Sequence, residues 1–142
     1  MRSANVPGLR GGERGLRSLG CRVEEVITLL VLPLILSFAP IAVWALRVGG
    51  LQRLWLLCAL ALLFDPLAAL VLSVVYSVPS TWQVVYYSLA FVGPSILLTT
   101  IALSMASVSE RALSVQLTTA FAGSLIGLGF GFVVVVYVLG VW

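Results

Sequence analysis

The fold of this chain is decided by residues 54–76, which read LWLLCALALLFDPLAALVLSVVY. A helix of this length would extend roughly 35 Å, which is enough to cross the hydrocarbon core of a bilayer. Its single charged residue, Asp65, lies 11 residues from either end and therefore close to the midplane. An ionisable side chain at that depth is costly, and it nearly always faces a protein interior or a water-filled cavity. The stretch therefore predicts a membrane-spanning helix that packs against other helices.

The composition of the whole chain places it among membrane proteins. Of its 142 residues, 61% are hydrophobic and only 9% are charged, and the mean hydropathy is +1.17. A soluble domain carries about 25% charged residues. Beyond residue 22 the chain consists of long apolar runs, not the short alternating segments of a β-barrel. The predicted fold class is an all-α polytopic membrane protein.

Four apolar runs predict four transmembrane helices in an antiparallel bundle. The predicted spans are residues 26–46, 54–76, 84–105 and 112–139, and together they form one transmembrane domain, residues 23–142. Residues 1–22 are rich in glycine and arginine, so we expect a disordered basic N-terminal tail. A cleavable signal peptide ending near Ala39 is the competing interpretation of the first run. The length of that run and the long segment before it favour an uncleaved span.

The basic residues of the chain predict its orientation. All eight are arginines, and the formal net charge is +3. Five of them precede the first apolar run: Arg2, Arg10, Arg14, Arg17 and Arg22. By the positive-inside rule this favours cytoplasmic termini in a plasma membrane. These arginines could also contact acidic headgroups, but we favour the interpretation that they only set the topology. No aromatic residues are interleaved with the arginines, so we do not expect nucleic acid as a partner.

Asp65 is the one acidic residue inside a predicted span, and two hypotheses account for it. In the first, its carboxyl group is hydrogen-bonded within the bundle and stabilises helix packing. In the second, it binds a proton or a cation in a small homo-oligomeric transporter or channel. Small side chains recur around it at helical spacing and direct it inward. The candidates for a polar lining are Ser37, Ser95 and Thr99, and Tyr86 is a further candidate hydrogen-bond partner.

A glycine repeat in the fourth span predicts close helix packing. Gly123, Gly127 and Gly131 follow one another at steps of four residues, which doubles the G-x-x-x-G motif of membrane helix pairs. Because glycine has no side chain to hold a neighbour away, this face should contact another helix. The motif leaves open whether that helix belongs to the same chain or to a second copy.

The residues give little support to catalysis. Without histidine, neither a His-based triad nor an imidazole base exists. Zinc needs about four ligands, and the chain has two cysteines and no Cys-x-x-Cys pattern. We therefore expect no enzyme activity, cofactor or metal. The favoured function is a non-catalytic membrane subunit or a packing and interaction module. We expect it to contact the lipid bilayer and to form a homo-oligomer or join a larger membrane complex.

Overall fold

The protein is an all-helical bundle in the computed structural model, which describes residues 10–107 and 112–138, with side chains from residue 22 onward. Helix α1 is Arg10–Val75, α2 is Thr81–Ser107 and α3 is Leu113–Val133. A π-helical turn, Val134–Val138, extends α3. Three helices in the described part of the chain are long and apolar enough to cross a membrane, whereas the sequence predicts four. The difference in number arises because the first two predicted spans both lie in α1.

Helix α1 is interrupted at Gly50, which separates a first arm, residues 10–49, from a second arm, residues 51–75. Gly50 has φ = 67° and ψ = −162°, a backbone conformation essentially restricted to glycine. Leu30 of the first arm and Leu67 of the second line the same groove. An unbroken helix would hold these two residues roughly 55 Å apart, so the two arms lie side by side. A single non-helical residue thus reverses the chain where the sequence predicts a longer turn.

The N-terminal region differs from the predicted disordered tail. Helix α1 already begins at Arg10, so the prediction of disorder is wrong for residues 10–22, and residues 1–9 lie outside the described residues. The physical reason is that helix propagation is cheap once the first turn has formed. Arginine and leucine, which are strong helix formers, alternate with the glycines of this segment and offset their low propensity.

Helix α1 ends in a Schellman-type turn that sets the position of α2. Ser77 has φ = 51°, and the Val78 amide donates a hydrogen bond of 2.9 Å to the Ser73 carbonyl oxygen. Pro79 follows and cannot continue the helix. Because this turn is short, α2 begins at Thr81, whereas the sequence predicts a start at Val84.

The hydrophobic core lies between the two arms of α1, with α2 packed against both and α3 packed against α2. Residues from all three helices contribute to it, among them Ile35, Cys58, Ile96 and Ala120. Large aliphatic side chains of the second arm face outward, and Leu63, for example, is 67% exposed. A bundle with an apolar exterior and a buried polar stripe is the arrangement expected of helices that pack within lipid.

Candidate functional site

Asp65 is fully enclosed at the contact between the second arm of α1 and helix α2. Its side chain is 0% exposed, and Ser88 Oγ donates a hydrogen bond of 2.6 Å to Asp65 Oδ1. Asp65 Oδ2 has no hydrogen-bond partner, and it is the one such buried side-chain oxygen or nitrogen in the described residues. Unpaired polar atoms in a protein interior cost free energy. The carboxyl group is therefore only half satisfied.

The inward position of Asp65 follows from the pattern of small residues along the second arm. Cys58, Ala69 and Ser73 recur on the same helical face and are all nearly fully buried, whereas Phe64, the neighbour of Asp65, is 62% exposed. Pro66 has no amide hydrogen, so the helix cannot close its regular hydrogen bond at this level. The second arm thus presents its one acidic side chain, next to a weakened turn, towards α2.

The hydrogen-bond partner of Asp65 differs from the predicted candidates. Tyr86 is 61% exposed and points outward, while Ser95 and Thr99 lie two and three turns further along α2. In α2, which begins at Thr81, Ser88 is the residue level with Asp65. Ser88 and Ser95 are seven residues apart and lie on the same buried face of α2. The helical spacing that made Ser95 a candidate therefore applies equally to Ser88.

Ser95 and Thr99 instead form a hydroxyl network with Ser124 at the contact between α2 and α3. Ser95 Oγ donates to the Ser124 carbonyl oxygen at 2.8 Å, and Thr99 Oγ1 and Ser124 Oγ are 2.8 Å apart. Thr99 also donates to the Ser95 carbonyl at 2.7 Å, and Ser124 to the Ala120 carbonyl at 3.0 Å. All three side chains are buried, and each hydroxyl has a partner. The network is a packing contact and does not line the surroundings of Asp65.

The glycine stripe of α3 lies against the backbone of α2 in the same chain. A Cβ atom on Gly127 would lie 2.6 Å from the Ser95 nitrogen and 2.7 Å from the Pro94 carbonyl oxygen. At Gly131 it would lie 2.5 Å from the Ala90 carbonyl, and at Gly123 3.0 Å from Thr99 Cα. Real Cβ atoms do not approach backbone so closely, so any side chain at Gly127 or Gly131 would push the two helices apart. This places the contact within one chain.

Ser37, the third residue predicted for a polar lining, lies away from Asp65. It is exposed and lines a groove of about 680 Å³ between the two arms of α1. The other lining residues of that groove are apolar, and Asp65 is not among them. Of the three predicted lining residues, none is brought to the carboxyl group.

Two polar residues that the sequence analysis did not select also join helices. Gln116 of α3 is 8% exposed, and its Oε1 accepts a hydrogen bond of 2.9 Å from Arg47 Nε of α1. Ser124 completes the network described above. The signal for Ser124 was its position on the glycine-bearing face, three residues before Gly127. Gln116 was recognisable as a polar amide near the start of an apolar helix.

No protein-family profile, curated protein or solved structure matches this chain. In the described residues, no three His, Cys, Asp or Glu side chains come together as they would around a metal ion. Cys58 is buried as a free thiol, and Cys21 lies outside the residues whose side chains are described. The function must therefore be inferred from the Asp65 contact, the hydroxyl network and the glycine stripe themselves.

Proposed function

We propose that the protein is a small integral membrane subunit that acts by helix packing and interaction, without catalysis. The observation that carries this proposal is the enclosure of Asp65, whose side chain has no exposed surface and is bonded to Ser88. The groove of the α1 arms does not reach it. A substrate pathway would instead be expected to bring a polar cavity to the carboxyl group.

The proposed topology has four membrane crossings, with each arm of α1 crossing once. It is supported by the reversal at Gly50 and by the groove that both arms share. An even number of crossings places both termini on the same side, which we propose to be the cytoplasmic side of the plasma membrane. Reporter fusions after Ser3 and after Trp142 should then report the cytoplasm. Reporters in opposite compartments would exclude four crossings.

The packing role predicts that Asp65→Asn changes little. The amide oxygen of asparagine can still accept the hydrogen bond of Ser88, and the side chain keeps its shape. The thermal unfolding midpoint in detergent should therefore stay close to that of the wild type. Glu24→Gln removes an exposed acid near the start of the apolar part of α1 and serves as the matched control. A strong loss of stability in Asp65→Asn alone would contradict a role limited to packing.

One observation favours a second candidate function, a small homo-oligomeric transporter or channel. Asp65 Oδ2 is buried without a partner, and such an atom is suited to bind a proton or a cation. Liposomes that contain the protein and a pH-sensitive dye would then show proton or cation flux. In this case Asp65→Asn should abolish the flux while Glu24→Gln keeps it. Liposomes that show no flux above empty vesicles would favour the packing role.

A further inference from the structure

The Asp65 carboxyl group lies between two apolar clusters of the core. One turn before it, Leu62 packs against the first cluster, and one turn after it, Ala69 belongs to the second. Ser88, its hydrogen-bond partner on α2, is flanked by members of the same two clusters. An ionised carboxylate is costly to bury in such surroundings unless a cation and further donors accompany it.

No second titratable side chain in the described residues is hydrogen-bonded to Asp65. On α2, Tyr86 is exposed and Tyr87 is half-buried beside Ser88. On the second arm, Cys58 lies two turns before Asp65 on the same face. The remaining titratable side chains that the structure describes are all exposed: Arg22, Glu24, Glu25, Arg47, Arg53, Tyr76 and Tyr137. The carboxyl group therefore has one donor, Ser88, and no counter-charge.

The proline next to Asp65 supplies a hydrogen-bond acceptor. Pro66 has no amide hydrogen, so the carbonyl oxygen of Leu62, four residues earlier, has no helical donor. A side chain three residues after a carbonyl can reach it, since Ser73 Oγ of the same arm donates to the Leu70 carbonyl oxygen at 2.8 Å. Asp65 stands at this same spacing from Leu62. The Asp-Pro pair thus sets a carboxyl group beside a carbonyl oxygen that is free to accept.

The nature of the ligand follows from these oxygen atoms. An ionised carboxyl oxygen and a carbonyl oxygen both accept hydrogen bonds, so they attract each other only through a proton or a cation between them. A hard metal cation such as calcium takes about six to eight oxygen ligands. Here the neighbours one turn away on either side are apolar, and Ser88 supplies the one polar side chain in contact. A proton needs a single acceptor, and the Leu62 carbonyl provides it.

We propose that Asp65 is a proton-binding site, in which the neutral carboxyl group accepts from Ser88 through Oδ1 and donates from Oδ2 to the Leu62 carbonyl oxygen. The proposal rests on the enclosure of Asp65 that carries the packing function, and it names a proton as the ligand of the second candidate function. The proton turns Oδ2, which no donor reaches, into a donor itself. Release of the proton leaves a negative charge between the apolar clusters, so the contact between the second arm and α2 is coupled to proton occupancy.

Isotope-edited infrared spectroscopy tests the proposal without a variant, because Asp65 is the only aspartate in the chain. The full chain would be made by cell-free synthesis with aspartate that carries carbon-13 in its side-chain carboxyl group. After reconstitution in phosphatidylcholine vesicles at neutral pH, the difference between labelled and unlabelled spectra should contain the carbonyl stretch of a protonated carboxyl group. A difference spectrum that contains only carboxylate bands would overturn the proposal.

Pro66→Ala tests the role of the Leu62 carbonyl. The variant returns an amide hydrogen to the helix, and this amide competes with Asp65 for the carbonyl oxygen. The carboxyl O–H is then bonded more weakly, so the labelled stretch should move to higher frequency. Pro40→Ala returns an amide to the first arm in the same way and should leave the band in place. An unchanged band in Pro66→Ala would refute the assignment of Leu62 as the acceptor.

The outcomes for the proton site and for the proposed function are distinguishable. Carboxylate bands together with an unchanged unfolding midpoint of Asp65→Asn would refute the proton site and keep the packing role. The band of a protonated carboxyl group together with a strong loss of stability in Asp65→Asn would do the reverse. Liposomes without flux whose labelled protein shows the protonated band would support a proton that is bound and not transported.

Discussion

The two faces of α2 make different kinds of contact. Towards α1, a single polar pair, Asp65 with Ser88, carries the hydrogen bonding, and one carboxyl oxygen has no partner. Towards α3, the hydroxyls of Ser95, Thr99 and Ser124 all have partners, and the helix backbones come together at glycines. The first contact depends on one strong hydrogen bond, and the second depends on shape.

This difference teaches that the buried carboxyl group and the closest backbone packing lie at separate contacts in the bundle. Hydroxyl groups bonded to backbone carbonyls cost little when buried, and they allow helices to approach closely. A carboxyl group costs more to bury, and the contact that contains it keeps one unsatisfied atom. Variants that alter one contact at a time measure how much each of them contributes.

The largest effect is expected from Gly127→Leu at the contact between α2 and α3. Its Cβ atom alone would overlap the backbone at Ser95, so α3 must move away from α2. We expect a loss of about 3 kcal/mol or more in the free energy of unfolding. Gly129→Leu is the matched control, because no atom lies within 4 Å of a Cβ atom at Gly129. Thermal or steric-trapping unfolding measures both, and equal losses would show that the close approach is unimportant.

An intermediate effect is expected from Ser88→Ala at the contact between α2 and α1. The variant removes the one hydrogen bond of the Asp65 carboxyl group and should cost about 1–3 kcal/mol. Adding Asp65→Val should recover much of this loss, since two apolar partners leave nothing unsatisfied. The unfolding free energies of the two single variants and the double variant form a double-mutant cycle. Strictly additive losses would show that the two side chains do not interact.

The smallest effect is expected from Thr99→Val in the hydroxyl network. Valine keeps the shape of threonine, and Ser124 retains its bond to the Ala120 carbonyl. The loss should be about 0.6 kcal/mol, the average of hydrogen bonds between membrane helices. Thr118→Val removes an exposed hydroxyl that bonds only to its own helix and provides the control. A loss as large as that of Gly127→Leu would mean that hydrogen bonds, and not shape, hold α3.

Much of this arrangement is predictable because single helices obey a simple periodicity. The spacing of small residues predicts that Asp65 points inward, and the four-residue step of Gly123, Gly127 and Gly131 predicts a helix contact. Both inferences concern one helix and its own face. The structure buries Asp65 completely and sets the glycines against α2.

The pairing between helices is less predictable, because it depends on the lengths of the turns. Helical spacing places Ser88 and Ser95 on the same face of α2, seven residues apart, but it does not show which of the two lies level with Asp65. The predicted spans leave a turn between residues 46 and 54, but they do not predict that one non-helical residue, Gly50, makes the whole reversal. The groove that Ser37 lines depends on how the two arms of α1 diverge. The spacing of residues within either arm does not predict that divergence.

The repeat of glycines in α3 also has a consequence for uniqueness. Since Gly123, Gly127 and Gly131 are identical in spacing, sliding α3 by one turn, roughly 6 Å, would again present glycines to α2. A shifted register would keep glycine at two of the three close contacts and bring Thr119 or Val135 to the third. The bond between Thr99 and Ser124 and the link from Arg47 to Gln116 exist only in the native register. These polar contacts thus add to the preference for one alignment, and weakening them would raise the population of shifted alignments before any loss of helix.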